Sequence, residues 1–308
     1  MGKRKRGFVE QGEPVVTLRK GAEKKNIHDG QERPVNSSVT VQIIVGTYEK
    51  VLHGIQATVP RLAKESSGTA SSVEFADTFL LSTHGSAIRC LAISPPSSSE
   101  FNQSQKLILA SGSSDQIINL YHISTEGPSR QKGLEVPSLS GSKVKENPKN
   151  KELGSLNHHG GSINTLCFPS RSKLLSAADD NTIAVARTRD WTVLSTIKAP
   201  IPKAHGRPSG DTAPLGGSPT GVNDFAIHPS LKLMVSVGKG EKCMRLWNLV
   251  TGKKAGVLNF ERDLLQGVGE GRRASGEGRR VEWNSVGEEF VVGFERGCVV
   301  FGMVYVLL

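Results

Sequence analysis

Two histidines can each meet a serine and an aspartate: His84 with Ser111 and Asp115, and His159 with Ser176 and Asp180. Together these are the parts of a nucleophilic triad, in which an imidazole takes the proton of a serine hydroxyl. The positions recur by repeat, which a single active site does not require, and no serine sits in a Gly-x-Ser-x-Gly elbow. The structural reading is therefore preferred: a turn carboxylate accepts from the imidazole, the imidazole meets the hydroxyl, and buried polar groups satisfy one another. His158, His159 and Cys167 have metal-binding atoms, but Cys167 lies in a run expected to be a buried strand and no further ligand has the right spacing. Gly238-Lys239-Gly240 lies between strand-like runs rather than before a helix, so nucleotide hydrolysis is not supported. The chain is read as having no catalytic residue, cofactor, bound metal or small-molecule substrate.

The elements that position these residues form a repeat. Five segments share a β-rich run, a turn holding an acid and a second β-rich run: Gln42 to Ile55, Leu107 to Ile123, Lys173 to Arg187, Lys232 to Leu249 and Glu289 to Phe301. The acid precedes the same strand position by six residues each time: Glu49 and Ile55, Asp115 and Tyr121, Asp180 and Ala186, Glu241 and Trp247, Glu295 and Phe301. An alternating run lies upstream of four of these pairs, at Ala87 to Pro95, Ser162 to Pro169, Gly221 to Pro229 and Arg280 to Ser285, and is the expected inner strand. Outer strands are expected at Phe79 to Ser82, Leu153 to Asn157, Thr192 to Lys198 and Lys254 to Phe260. Four strands per repeated unit predict an all-β fold, a β-propeller with five readable blades. The segments 124–151, 200–220 and 263–279 are rich in Gly, Pro, Ser and charge and are read as disordered insertions. Removing them leaves units near the roughly 40 to 45 residues of such a blade.

These positions resemble the WD-repeat proteins, whose blades carry a His before the inner strand, a Ser or Thr on the second, an Asp in the next turn and a Trp on the third. His84, Ser111, Asp115 and Tyr121 fill those places in one unit, and His159, Ser176, Asp180 and Ala186 in the next. Trp247-Asn248 stands where a Trp-Asp pair would be, and Glu49, Glu241 and Glu295 hold the turn position in weaker-matching units. A closer resemblance spans roughly residues 40 to 302. The runs IIVGTYEKVLHG, HGSAIRCLAISP, ASGSSDQIINLY, KLLSAADDNTIAV, DWTVLSTIKA and VNDFAIHPSLKLMVSVGKGEKCMRLWNLVTGKKAG are similar to the PAK-interacting, maintenance-of-killer family of nucleolar WD-repeat proteins. That resemblance implies a scaffold for assembly of the large ribosomal subunit and rRNA maturation, with ribosome-assembly proteins and pre-ribosomal particles as partners. It implies as the alternative an adaptor that binds and negatively regulates a p21-activated protein kinase. It also implies a ring of about seven blades, against which an incomplete propeller over 39–303 and a non-native end at 304–308 are expected. The first unit lacks a clear inner strand.

Charge points toward polyanions: 39 Lys and Arg against 29 Asp and Glu give a net charge of +10. The run Lys3-Arg4-Lys5-Arg6, in an arm over 1–38 expected to be disordered, is read as a nuclear import signal or phosphate-binding arm, against an ordinary solvated cluster. Arg272, Arg273, Arg279 and Arg280 lie in or beside a Gly-rich stretch that reads as a solvated linker, with rRNA contact as the alternative. The start lacks an apolar signal region, and GCVVFGMVYVLL is too short for a span of about 20 apolar residues, so an intracellular chain without a membrane segment is expected. Cys90, Cys167, Cys243 and Cys298 are read as reduced core thiols. The expected location is the nucleus and nucleolus.

Overall fold

The apolar runs become strands of five antiparallel sheets in a computed structural model that describes residues 38–60, 73–97, 105–125, 147–201, 220–271 and 274–303. The described residues belong to one compact unit, Ser38–Leu308. The first sheet holds β1 (Ser38–Gly46), β2 (Val51–Pro60) and β3 (Glu74–Ser82), and the second holds β4 (Ile88–Ile93), β5 (Lys106–Ser113), β6 (Ile118–Ser124) and β7 (Lys151–Leu156). The third comprises β8 (Ile163–Ser170), β9 (Lys173–Ala178), β10 (Thr182–Arg187) and β11 (Val193–Lys198). The fourth is built from β12 (Val222–Ile227), β13 (Leu233–Gly238), β14 (Cys243–Asn248) and β15 (Lys253–Asn259). A short helix α1 (Arg262–Gly267) precedes the fifth sheet of β16 (Arg280–Trp283), β17 (Glu289–Gly293) and β18 (Cys298–Gly302). Each sheet is a meander in chain order, as a propeller blade is.

Strand alternation explains the assembly. In β5, Leu109 packs toward the first sheet, whereas Ile108 and Ala110 pack toward the third. In β9, Leu174 joins the core shared with the second sheet and Leu175 the core shared with the fourth. A strand buried on both faces reads as a continuous apolar run, which accounts for LILAS, KLLSAA and LMVSV. Four apolar clusters result, one at each junction between successive sheets. The inner strands β4, β8, β12 and β16 lie next to one another in that order.

The repeat is visible in the backbone as well. The pairing of the third and outer strands slips at Gly54/Ile55, Leu120/Tyr121, Val185/Ala186 and Leu246/Trp247. In each of these four sheets this is five and six residues beyond the turn acid. The residue after the acid is left-handed in the first three turns: Lys50 (φ 68), Gln116 (φ 72) and Asn181 (φ 59).

One expectation is corrected. Residues 263–279 were expected to be a disordered insertion, yet α1 buries Leu265 against the core between the fourth and fifth sheets, with Leu264 and Val268 beside it. Glu270 is buried and accepts from the backbone N–H of Arg296 at 3.2 Å, while Glu277 accepts from that of Gly240 at 2.6 Å. Three apolar side chains and two carboxylates turned onto backbone donors hold residues 263–271 and 274–279, whose composition is that of a linker. Arg272 and Arg273 lie outside the described residues, as do 1–37, including Lys3 to Arg6, and 304–308. Of the other two insertions, 126–146 and 202–219 lie outside them too, while Ser124 belongs to β6 and Lys151 to β7. The cysteines are free; Cys298 is exposed rather than in the core, because it sits on the outward face of β18.

Candidate interaction site

The two histidine networks sit at one end of the second and third sheets. His84 Nδ1 lies 3.1 Å from Asp115 Oδ2 and its Nε2 2.8 Å from Ser111 Oγ. A carboxylate only accepts, so the proton belongs on Nδ1, and Nε2 accepts from the Ser111 hydroxyl. Asp115 also accepts from the backbone N–H groups of Gly85 at 2.8 Å and Ile117 at 3.0 Å, joining the turn to the segment before β4. Partial burial pushes the Asp115 carboxyl up, but these hydrogen bonds outweigh it and hold the pKa below the usual value. Asn119 on β6 donates to the Thr83 carbonyl at 2.7 Å. In the third sheet His159 Nδ1 lies 3.1 Å from Asp180 Oδ2, and Nε2 lies 2.7 Å from Ser176 Oγ. His158 adds a contact of 3.1 Å to the same hydroxyl, and burial with the neighbouring His159 holds its pKa down to about 4. Ser111 and Ser176 are fully buried, so no substrate can reach either hydroxyl. These networks clamp a turn to an inner strand.

The remaining repeat positions diverge. Glu241 is buried and pairs with Arg245 on β14, while Ser236, opposite Arg245, accepts from Trp247 Nε1 at 2.8 Å. An indole thus takes the serine that an imidazole takes in the two preceding sheets. Tyr121 is buried at the matching position of the second sheet, and burial raises its hydroxyl pKa. Glu49 is exposed in the β1–β2 turn. Glu295 is exposed and accepts from Arg279 at 3.3 Å.

A second polar network was not anticipated from the sequence. It runs across the inner strands of the third, fourth and fifth sheets. Asn164 on β8 donates to Asp179 at 2.6 Å and to the Val222 carbonyl at 2.8 Å, and Lys239 pairs with Asp179. Asp224 on β12 accepts from the Thr165 hydroxyl at 2.8 Å and from the Val281 N–H at 2.9 Å, so one carboxylate ties three sheets together. Burial raises the Asp224 pKa despite those donors, and burial together with Asp224 raises that of Glu282. The exposed Arg280 guanidinium lies 3.8 Å from Asp224. These groups border a cleft of about 610 Å³ that includes Cys167, His228 and Cys298. The available signal was an acid in VNDFAI, between Val222 and Phe225 on a strand that buries residues of both faces. Among the described residues no group of three His, Cys, Asp or Glu is placed to hold a metal, and no helix is long and apolar enough to cross a membrane.

The WD domain, G-beta repeat family matches residues 76–122 and 150–185, the two stretches that carry most of the His84 and His159 networks. The chain is 27% identical over 253 residues to a p21-activated protein kinase-interacting protein 1-like of Xenopus laevis, covering 82% of this chain and 48% of that protein. It is 27% identical over 277 residues to Protein MAK11 of Saccharomyces cerevisiae, covering 84% of this chain and 51% of that protein. Shk1 kinase-binding protein 15 of Schizosaccharomyces pombe is 24% identical over 218 residues, 71% of this chain and 46% of that protein. The chain spans about half the length of these curated relatives. Repeated sheets, repeated turn networks and these relatives agree in supporting a WD-repeat protein of the PAK-interacting and MAK11 type.

Proposed function

We propose that the chain is a non-enzymatic scaffold in assembly of the large ribosomal subunit, working in the nucleus and nucleolus within pre-ribosomal particles. The observation that carries this reading is the likeness to MAK11 over 84% of the chain. It is supported by side-chain chemistry spent on holding sheets together, and by a net charge of +10 that favours a polyanionic setting. The sheets would present loops and rims to assembly proteins, while Arg280 and the basic segments outside the described residues would contact rRNA. The test is affinity purification of the tagged 308-residue chain with sequencing of the bound RNA, together with imaging. Recovery of large-subunit precursors and nucleolar enrichment are expected. A second reading, binding and restraint of a p21-activated kinase, is favoured by relatives named for binding such a kinase or Shk1. Recovery of a kinase without precursor RNA would replace the first reading with the second.

A further inference from the structure

We propose that the outward face of the first sheet is a self-association surface, on which a second copy of this chain packs the same face across a two-fold axis. Thr40, Gln42 and Ile44 of β1 turn toward the second sheet, where they border Leu109 and Ile123. Strand alternation sends Val39, Val41, Ile43 and Val45 the other way, and all four are exposed. The neighbouring strands continue the face: Val59 of β2 stands opposite Val39, and Phe75 and Leu80 of β3 are more than half exposed. The slip at Gly54/Ile55 puts Asp77 and Leu80 on this side together while Thr78 turns inward beside Phe79. No other described sheet packs on this side, since the one apolar cluster that includes residues of the first sheet is shared with the second. Strands of nine residues, at about 3.3 Å per residue and about 4.8 Å between strands, make the face roughly 400 Å². Apolar patches of that size on a single chain are commonly interaction sites.

Charge selects the occupant. The titratable side chains on the described part of the face, His53 and Asp77, pair with each other at 3.0 Å, so covering it strands no unpaired ion. The uncovered face of the fifth sheet differs, because it carries the exposed Arg280 and Glu282. Pressed onto the valines of β1, those two ions would lose water and gain no partner. A second copy of the first sheet brings no such cost: two neutral apolar faces are self-complementary, and a two-fold axis closes the assembly at two copies. Sheets stacked in this way lie about 10 Å apart with their strands within about 30° of one another, which lets the side chains of the two β1 strands interdigitate. The roughly 400 Å² on each copy is about half of the ~800 Å² that a partner contributes to a standard interface, so the dimer exchanges with single copies at roughly micromolar concentrations.

Sedimentation equilibrium of the full chain from about 1 to 100 µM tests this. The average mass is expected to rise from one copy and to level off at two. Val41→Lys with Ile43→Lys sets like charges against each other across the axis and should weaken association about 10- to 100-fold, and so should Val41→Glu with Ile43→Glu. An equimolar mixture of the two variants should dimerise again, because a lysine face then meets a glutamate face. A mass of one copy throughout overturns the proposal and leaves the face to water or to another segment of the chain. A rise that continues past two copies overturns it in favour of a head-to-tail array. Variants that associate as the unaltered chain does, or a mixture that associates no better than either variant alone, place the contact elsewhere and overturn it too. The mass at which the unaltered chain levels off decides the first two outcomes even where a variant fails to fold.

Discussion

At the scale of the residue, Asp115 and Asp180 are worth more than their neighbours because each carboxylate serves several donors at once. Asp115 accepts from the Gly85 and Ile117 backbones and from His84, and Asp180 accepts from His159, Gly160 and Thr182. Asp115→Ala should cost about 1–3 kcal/mol in urea unfolding, since the buried imidazole of His84 then loses its acceptor. The pH dependence has a definite sign. Hydrogen bonding holds the Asp115 pKa in the folded state below its unfolded value of about 3.9, so its contribution is whole above that pH and declines as the pH falls through the folded pKa. The stability gap between the native chain and Asp115→Ala should therefore be constant at neutral pH and narrow in acid. A gap that persists undiminished in strong acid would assign the effect to packing instead.

At the scale of the element, the close fit between one sheet's second strand and the next sheet's inner strand sets which residues the strand ends can hold. A Cβ on Gly112, at the end of β5, would lie 2.6 Å from Ile163 Cγ2 and 2.7 Å from Cys90 Sγ. Both are rooted in neighbouring inner strands, β8 and β4, that cannot retreat without breaking pairing. Gly112→Val should thus destabilise by about 1–3 kcal/mol through overpacking, lowering the urea midpoint while leaving the m-value unchanged. The strand pairs themselves were legible, because alternation and the six-residue offset from the acid repeat in all five units. The helix α1 was not legible: Leu264, Leu265 and Val268 are too few for an amphipathic pattern, and become a buried edge only against Phe260, Phe294 and their neighbours.

At the scale of the whole molecule, the described residues form five sheets that share four cores, and one face each of the first and fifth sheets meets no other described sheet. The fifth sheet turns Arg280, Glu282, Val291, Cys298 and Val300 outward. The first turns out Val39, Val41, Ile43 and Val45, each 41–46% exposed, beside Phe75 and Leu80. Among the described residues β1 pairs with β2 alone, and its other edge borders that face. An apolar sheet face with an unpaired edge favours association. The sedimentation coefficient of the chain should rise with concentration, and the pair Val41→Lys and Ile43→Lys should flatten that rise without altering the far-UV spectrum. An unchanged rise would place self-association elsewhere.

The sequence by itself determined the strands, their order and the repeated polar positions, because each depends on spacing along one or two neighbouring strands. His84 was legible as the partner of a turn acid for that reason. Asp224 was not, since its donors Thr165 and Val281 come from β8 and β16, 59 and 57 residues away along the chain. Thr78 lay just before the expected strand Phe79 to Ser82, and the bulge turns it inward beside Phe79. Which buried polar group finds a partner, and which is left without one, is set by how separate sheets meet, and only the tertiary structure decides that.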